Sequence, residues 1–225
     1  MAYVKKEERS KPKKMDYKGF VGSNGPNPQL LVLSGPSAVG KGALKNRLVE
    51  KYKFRFVVSC TTRALRTGVV CKKTGKVYDE IDGVHYTHTD KKTFLRLKDE
   101  GFFLETNQVH EGVWYGTPKD KVMQLVNHGR HLLLDVEPVG ATNIKNELGP
   151  LVLTVLIKPP SMRELERRMR ESGGRDNIEE RLELAKKELA FEPLFDCSLV
   201  NDNFEKACAE LEHIIHQRMQ RLQRL

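Results

Sequence analysis

The 225-residue sequence predicts an α/β protein, a parallel β-sheet flanked by helices with a mixed α/β subdomain inserted into it. Three observations carry this expectation. Short apolar runs alternate with amphipathic stretches from residue 29 onward. A glycine-rich turn joins the first apolar run to the first amphipathic stretch. The alternation breaks over residues 61–118 and then resumes.

Taken in order, residues 29–34 read as a buried strand, 41–52 as a helix and 54–59 as a second β run. The irregular stretch holds short β runs near 84–87, 102–109 and 113–115, with a helix over about 90–100. Strict alternation then gives helix 119–128, strand 131–136, helix 139–147, strand 151–157, helices 161–171 and 178–191, strand 197–200 and helix 204–222. The expected organisation is a core of 29–60 and 119–225 with an insertion of 61–118. Residues 1–28 form a disordered basic tail.

Composition excludes several classes. The longest apolar stretches, such as 151–157, fall far short of the ~20 residues that span a bilayer. No apolar run follows the first basic residues, so no secretory leader is expected. The four cysteines form no CxxC pair and no disulfide scaffold, and a reducing cytoplasm is expected. The histidine pairs His85/His88, His128/His131 and His213/His216 lack the companions of a metal site, so no protein-held metal is predicted. Lys+Arg 39 against Asp+Glu 30 gives a net charge of +9, but +4 of it lies in residues 1–28. The tail's lysines could also serve as a nuclear address.

Between the first strand and the first helix stands Gly35-Pro36-Ser37-Ala38-Val39-Gly40-Lys41, a G-x-x-x-x-G-K phosphate loop in its required strand–loop–helix setting. Successive N–H groups at a helix N-terminus wrap an anion, and Lys41 can reach the outer phosphates. The usual hydroxyl for Mg²⁺ is missing, because Gly42 and Ala43 follow the lysine. Further on, Arg63 and Arg66 stand three apart and could fork onto one phosphate. Tyr86 and Tyr115 offer hydroxyls, and Glu105 could accept from two neighbouring N–H groups, as on the edge of guanine.

These pieces together resemble the guanylate kinases. The matching segments are GPSAVGK, SCTTRALR, DGVHY, FFLE, VWYGTP, LLLDVEPVG, IKPPS and LVND, in that order over about residues 29–222. The resemblance implies a P-loop NTPase-type sheet and transfer of a phosphoryl group from ATP to GMP, with dGMP as a further acceptor and Mg²⁺ held mainly by ATP and water. By resemblance, Arg63, Arg66, Tyr86 and Tyr115 would bind the GMP phosphate, while Ser59, Glu105, Thr117 and Glu137 would line the guanine. The loop and Lys41 would hold ATP, with Gly42 and Ala43 beside it and Asn201 and Asp202 near adenine. Arg168 and Arg181 would reach over the transferring group, and Asp135 would organise the metal or the acceptor.

The sequence also departs from the family pattern. Ala38 stands where a glycine is usual, and Val69 where an acid follows the Arg-x-Gly turn. Residues 70–81 read as a hairpin extension, and His85 and Glu137 each replace an aspartate. The short helical lid that the resemblance implies at about 171–178 is about two residues short. Ser172 takes the lid's arginine position, with Arg170 or Arg175 as the substitute. The alternative reading is a catalytically weak module that binds a phosphorylated partner, favoured by Gly42 and Ala43. A nucleic-acid partner and a membrane are not expected, and monomer and dimer are both compatible with the sequence.

Overall fold

The computed structural model describes residues 30–70, 77–109, 112–172 and 177–222. The described chain opens with β1 (Leu30–Ser34), passes the glycine-rich loop into α1 (Lys41–Tyr52) and enters β2 (Arg55–Phe56). The insertion then supplies β3 (Cys60–Thr61), β4 (Val69–Val70), β5 (Val77–Tyr78), β6 (Thr87–His88), α2 (Lys91–Asp99), β7 (Phe103–Gln108) and β8 (Trp114–Pro118). The regular rhythm returns with α3 (Lys119–Asn127), β9 (Leu132–Asp135), α4 (Pro138–Leu148) and β10 (Val152–Lys158). It ends with α5 (Met162–Ser172), α6 (Ile178–Leu189), β11 (Cys197–Val200) and α7 (Phe204–Leu222).

The core sheet has the order β11-β10-β1-β9-β2, and every neighbouring pair is parallel. Such strands are covered on both faces, which is why they read as unbroken apolar runs. The side-chain period of two assigns the faces. Leu30 and Val32 join Leu132, Leu134 and Leu156 against Val122 of α3 and Ile144 of α4. Leu31 and Leu33 join Leu133, Val155 and Ile157 against Leu44 of α1, Leu165 of α5 and Leu211 of α7. Chain order reverses at β1, and in such sheets ligands bind at the carboxyl ends of the strands beside that point. Gly35 follows β1 there and Asp135 ends β9.

The second sheet has the order β6-β3-β8-β7. Helix α2 packs on it through Phe94, fully buried and stacked on Phe103 with ring centroids 4.5 Å apart. Strands β4 and β5 pair only with each other.

Three boundaries differ from expectation. The β run at 54–59 is a strand only at Arg55–Phe56, although Val57 N–H still donates to the Leu133 carbonyl at 3.1 Å. The chain then leaves the core sheet, and Cys60 already pairs in the second one, a residue ahead of the expected change at 61. The run at 84–87 is mostly a turn: Val84 and His85 N–H both donate to the Ile81 carbonyl, Gly83 has φ 74°, and the strand begins at Thr87. The expected tail, Cys71 in the extension, and Arg175 in the lid lie outside the described residues.

Candidate active site

The phosphate loop is shaped by positive-φ residues. Gly35 has φ 133°, and a Cβ there would lie 2.3 Å from the Ile157 carbonyl oxygen, so no larger residue fits. Gly40 has φ 101°, and its Cβ would sit 2.2 Å from Asn201 Nδ2. Ala38 also takes the left-handed region, at φ 65°, a strain of about 1–2 kcal/mol for a residue with a Cβ. Gly40 caps α1 without a side-chain bond, so no side chain competes for the first-turn N–H groups. Lys41 Nζ folds back onto the carbonyls of Gly35 and Pro36, the latter at 3.1 Å.

Arg181 of α6 crosses to this loop. Its Nη2 donates to Ser37 Oγ at 2.9 Å, while Nη1 is buried without a hydrogen-bond partner among the described residues. Burial and the nearby Arg66 push its pKa down, so the site favours an added negative charge. Lys41, Arg181, Arg63, Arg66, Tyr86 and Tyr115 all line one cleft of about 550 Å³.

Within that cleft Arg63 is held on three sides. Nε donates to Tyr115 Oη at 3.1 Å, Nη1 to the Ala64 carbonyl at 2.7 Å and Nη2 to Glu80 Oε1 at 2.6 Å. The other Glu80 oxygen accepts the Arg66 N–H at 2.9 Å. Burial raises the Glu80 pKa, but its bonds to Arg63 and Arg66 outweigh burial and hold it below the usual range. Tyr86 stacks edge-on to Tyr115 at 5.6 Å, with the Arg63 guanidinium 5.5 Å above its ring. Burial, with the Asp135 charge behind it, pushes the Tyr86 hydroxyl up to about 12, so it stays a donor.

The β7–β8 ladder builds the rest. Glu105 stands opposite Thr117 and Asn107 opposite Tyr115. Thr117 Oγ1 donates to Glu105 Oε1 at 2.8 Å in a buried pair. Burial pushes the Glu105 carboxyl up to about 7, with the Glu137 charge adding to the rise. Gly140 of α4 permits this approach, since a Cβ there would be 2.7 Å from Glu105 Oε2. Ser59, Asp135 and Glu137 also face the cleft.

Other expected site residues stand elsewhere. Arg168 is not among the cleft-lining residues; it donates to Glu164 Oε1 at 2.8 Å and to the Asn201 carbonyl at 2.9 Å. Asn201 is buried and donates to the Val39 carbonyl at 2.9 Å, so it braces the phosphate loop. Asp202 is exposed, as are Gly42 and Ala43, and a Cβ on Gly42 would meet open space. Arg170 is exposed and paired with Glu166.

Glu80, Asn107 and Glu188 are among the cleft or cleft-supporting residues that sequence reasoning missed. Glu80 holds the Arg63 guanidinium and the Arg66 N–H, and its place just ahead of Asp82-Gly83 was the available signal. Asn107 shares a strand face with Glu105 by the period of two. Glu188 of α6 lines the cleft, and burial pushes it up to about 7 against the opposing effect of Lys41. No sequence signal marks it out.

The family model described as guanylate kinase matches residues 27–218. The chain belongs to the guanylate kinase family. The guanylate kinase of Oleidesulfovibrio alaskensis is 42% identical over 185 residues, covering 81% of this chain and 84% of its own. That of a Synechococcus strain is 38% identical over 191 residues, covering 84% and 82%. The crystal structure of guanylate kinase from Anaplasma phagocytophilum matches with a TM-score of 0.67 at 29% identity, over 87% of this chain and 88% of that one. In this chain Ala38 takes a left-handed loop position, Gly42 and Ala43 follow Lys41, and β4 and β5 precede Glu80.

Proposed function

We propose that the chain transfers the γ-phosphoryl group of ATP to GMP, giving ADP and GDP, with dGMP as a further acceptor. One observation carries the reading: the phosphate loop with Lys41 and Arg181, the Arg63–Tyr115–Glu80 cluster, and the buried Glu105 all meet in a single cleft. Two anionic phosphates can approach only where cations flank both. Lys41 leaves the loop carbonyls to meet the β- and γ-phosphates, and the unpartnered Nη1 of Arg181 takes a γ-phosphate oxygen. Arg63, Arg66 and the two tyrosines hold the GMP phosphate. A GMP phosphate oxygen forms the new bond to the γ-phosphorus as the bond to the β-phosphate oxygen breaks, and ADP leaves with that electron pair. No strong base is needed.

Guanine lies against Glu105, which accepts from N1–H and one N2–H, while Glu137 provides a second acceptor and Ser59 a further polar contact. Adenine carries no proton at N1, so it would leave a buried carboxylate unpaired. Among the described residues no group of three His, Cys, Asp or Glu could hold a metal alone. Gly42 and Ala43 offer no side-chain oxygen, and the Ser37 hydroxyl already accepts from Arg181. Asp135 is the carboxylate at the end of β9. This donor set fits a Mg²⁺ carried by the triphosphate and completed by water, which neutralises charge between the β- and γ-phosphates when bound.

No helix among the described residues is long and apolar enough to cross a membrane. Cytoplasmic residence is supported by the free thiols of Cys60, Cys197 and Cys208 among the described residues; nuclear access rests on the basic composition of the tail alone. Formation of ADP with GMP, dGMP, AMP and UMP as acceptors tests the assignment. Turnover with the guanine nucleotides alone is expected, and binding of GMP without turnover would return the reading to an inactive binding module.

A further inference from the structure

Glu137 is the N-cap of α4, yet its side chain makes no capping bond. It faces the cleft instead, and Asn107 Nδ2 donates to its Oε2 at 2.6 Å. Asn107 comes from the insertion, two residues beyond Glu105 on the same face of β7, and it lines the cleft too. Two carboxylates, one from β7 and one from the start of α4, thus face the same cleft, and each accepts from a neutral donor: Glu105 from Thr117 and Glu137 from Asn107. Their charges are coupled, since Glu137 contributes to the rise in the Glu105 pKa.

Proton counting shows why two are useful. Guanine's edge carries one proton on N1 and two on the exocyclic nitrogen. Glu105 Oε1 already accepts from Thr117, and one carboxylate in a two-pronged contact takes two of the three guanine protons. The third needs another acceptor. Hypoxanthine has only the N1 proton and leaves that second acceptor unused.

We propose that Asn107 is a positioning residue that aims the Glu137 carboxylate at the exocyclic amine and thereby sets selectivity for 2-aminopurine nucleotides. The inference rests on guanine lying against Glu105. Asn107 acts through Glu137 and need not touch the substrate. Without its donated bond the Glu137 carboxylate loses one of the contacts that orient it, and the discrimination it provides falls.

The test compares kcat/KM for GMP and IMP in the wild type, Asn107→Ala, Asn107→Asp, Glu137→Gln and the double variant Asn107→Ala/Glu137→Gln. The GMP/IMP ratio is expected to fall about tenfold in Asn107→Ala, the scale of losing one aligned polar contact. The fall should come through the KM for GMP, with IMP, the KM for ATP and kcat little changed. The double variant should lose no more than Glu137→Gln alone. Asn107→Asp keeps the shape, removes the donor and adds like charge, so it should lose at least as much and remains informative if the alanine variant folds poorly. An unchanged ratio, equal losses for GMP and IMP, or additive losses in the double variant would overturn the positioning role. Failure of the underlying site reading looks different: a wild type that does not prefer GMP to AMP, or Glu105→Ala with an unaltered KM for GMP.

Discussion

Glu105 concentrates the chemistry of the acceptor end in one side chain. Burial pushes its carboxyl up to about 7 from an ordinary 4.5, so the empty native state holds a proton that the unfolded chain has lost over that window. Its contribution to stability is full below about 4.5 and disappears as pH rises through about 7. Guanine needs the ionised form. The affinity for GMP should therefore rise about tenfold between pH 6 and 8, as expected for a group titrating near 7. The GMP phosphate itself titrates near ~6, so Glu105→Gln serves as the reference: its GMP affinity is weak and follows the phosphate alone. Titration calorimetry across that range checks this, and parallel profiles for the two proteins would refute it. Gly140→Ala probes the same carboxylate from behind. The new Cβ would sit 2.7 Å from Glu105 Oε2. The helix gains about 1 kcal/mol in propensity, so stability changes little. The KM for GMP should rise about tenfold, the scale of a misaligned contact, while the KM for ATP holds.

At the scale of elements, the β4–β5 ribbon lies between Arg66 and Glu80, which meet at its base. It pairs only with itself, and its base is tied where Gly68 N–H donates to Asp79 Oδ1 at 2.6 Å and Glu80 N–H to the Arg66 carbonyl at 2.8 Å. Excising residues 69–78 and joining Gly68 to Asp79 should leave the KM for GMP within about threefold, since closing a loop of different length costs only ~0.6 kcal/mol per doubling. Glu80→Ala should raise it well beyond that, because it removes the carboxylate that anchors both the Arg63 guanidinium and the Arg66 N–H. Equal effects of the two changes in steady-state kinetics would place the ribbon itself in the site. The same element shows why some of the site was legible and some was not. The phosphate loop is local: seven consecutive residues and a strand–helix setting announce it. Glu80 is not, because it lies fourteen residues from Arg66 in the chain and meets it only through the ribbon. Arg168 shows a local pairing that the sequence also announces. It sits four residues after Glu164 on α5, a spacing that favours an ion pair along the helix, and the structure makes that pair.

For the whole molecule, the alternation of apolar runs and amphipathic stretches predicted the parallel core sheet, because strands covered on both faces leave an unmistakable apolar signature. The insertion was harder to read. Its strands are short, two residues in β3, β4, β5 and β6, and its turns carry as much of the structure as its ladders. Yet the insertion supplies Arg63, Glu80, Glu105, Asn107 and Tyr115, and the core supplies Lys41, Asp135, Glu137 and Arg181. The cleft exists only where the two meet. A basic net charge of +9 is accordingly explained in part by a few arginines directed at two small nucleotides. The most direct test of this shared cleft is calorimetric binding of a bisubstrate compound, adenosine and guanosine joined through a polyphosphate bridge. One molecule should bind per chain, more tightly than GMP or ATP alone. Both nucleotides should compete with it, and Lys41→Ala and Glu105→Ala should each weaken it. Binding no tighter than a single nucleotide, or displacement by ATP but not by GMP, would contradict a single cleft that holds donor and acceptor together.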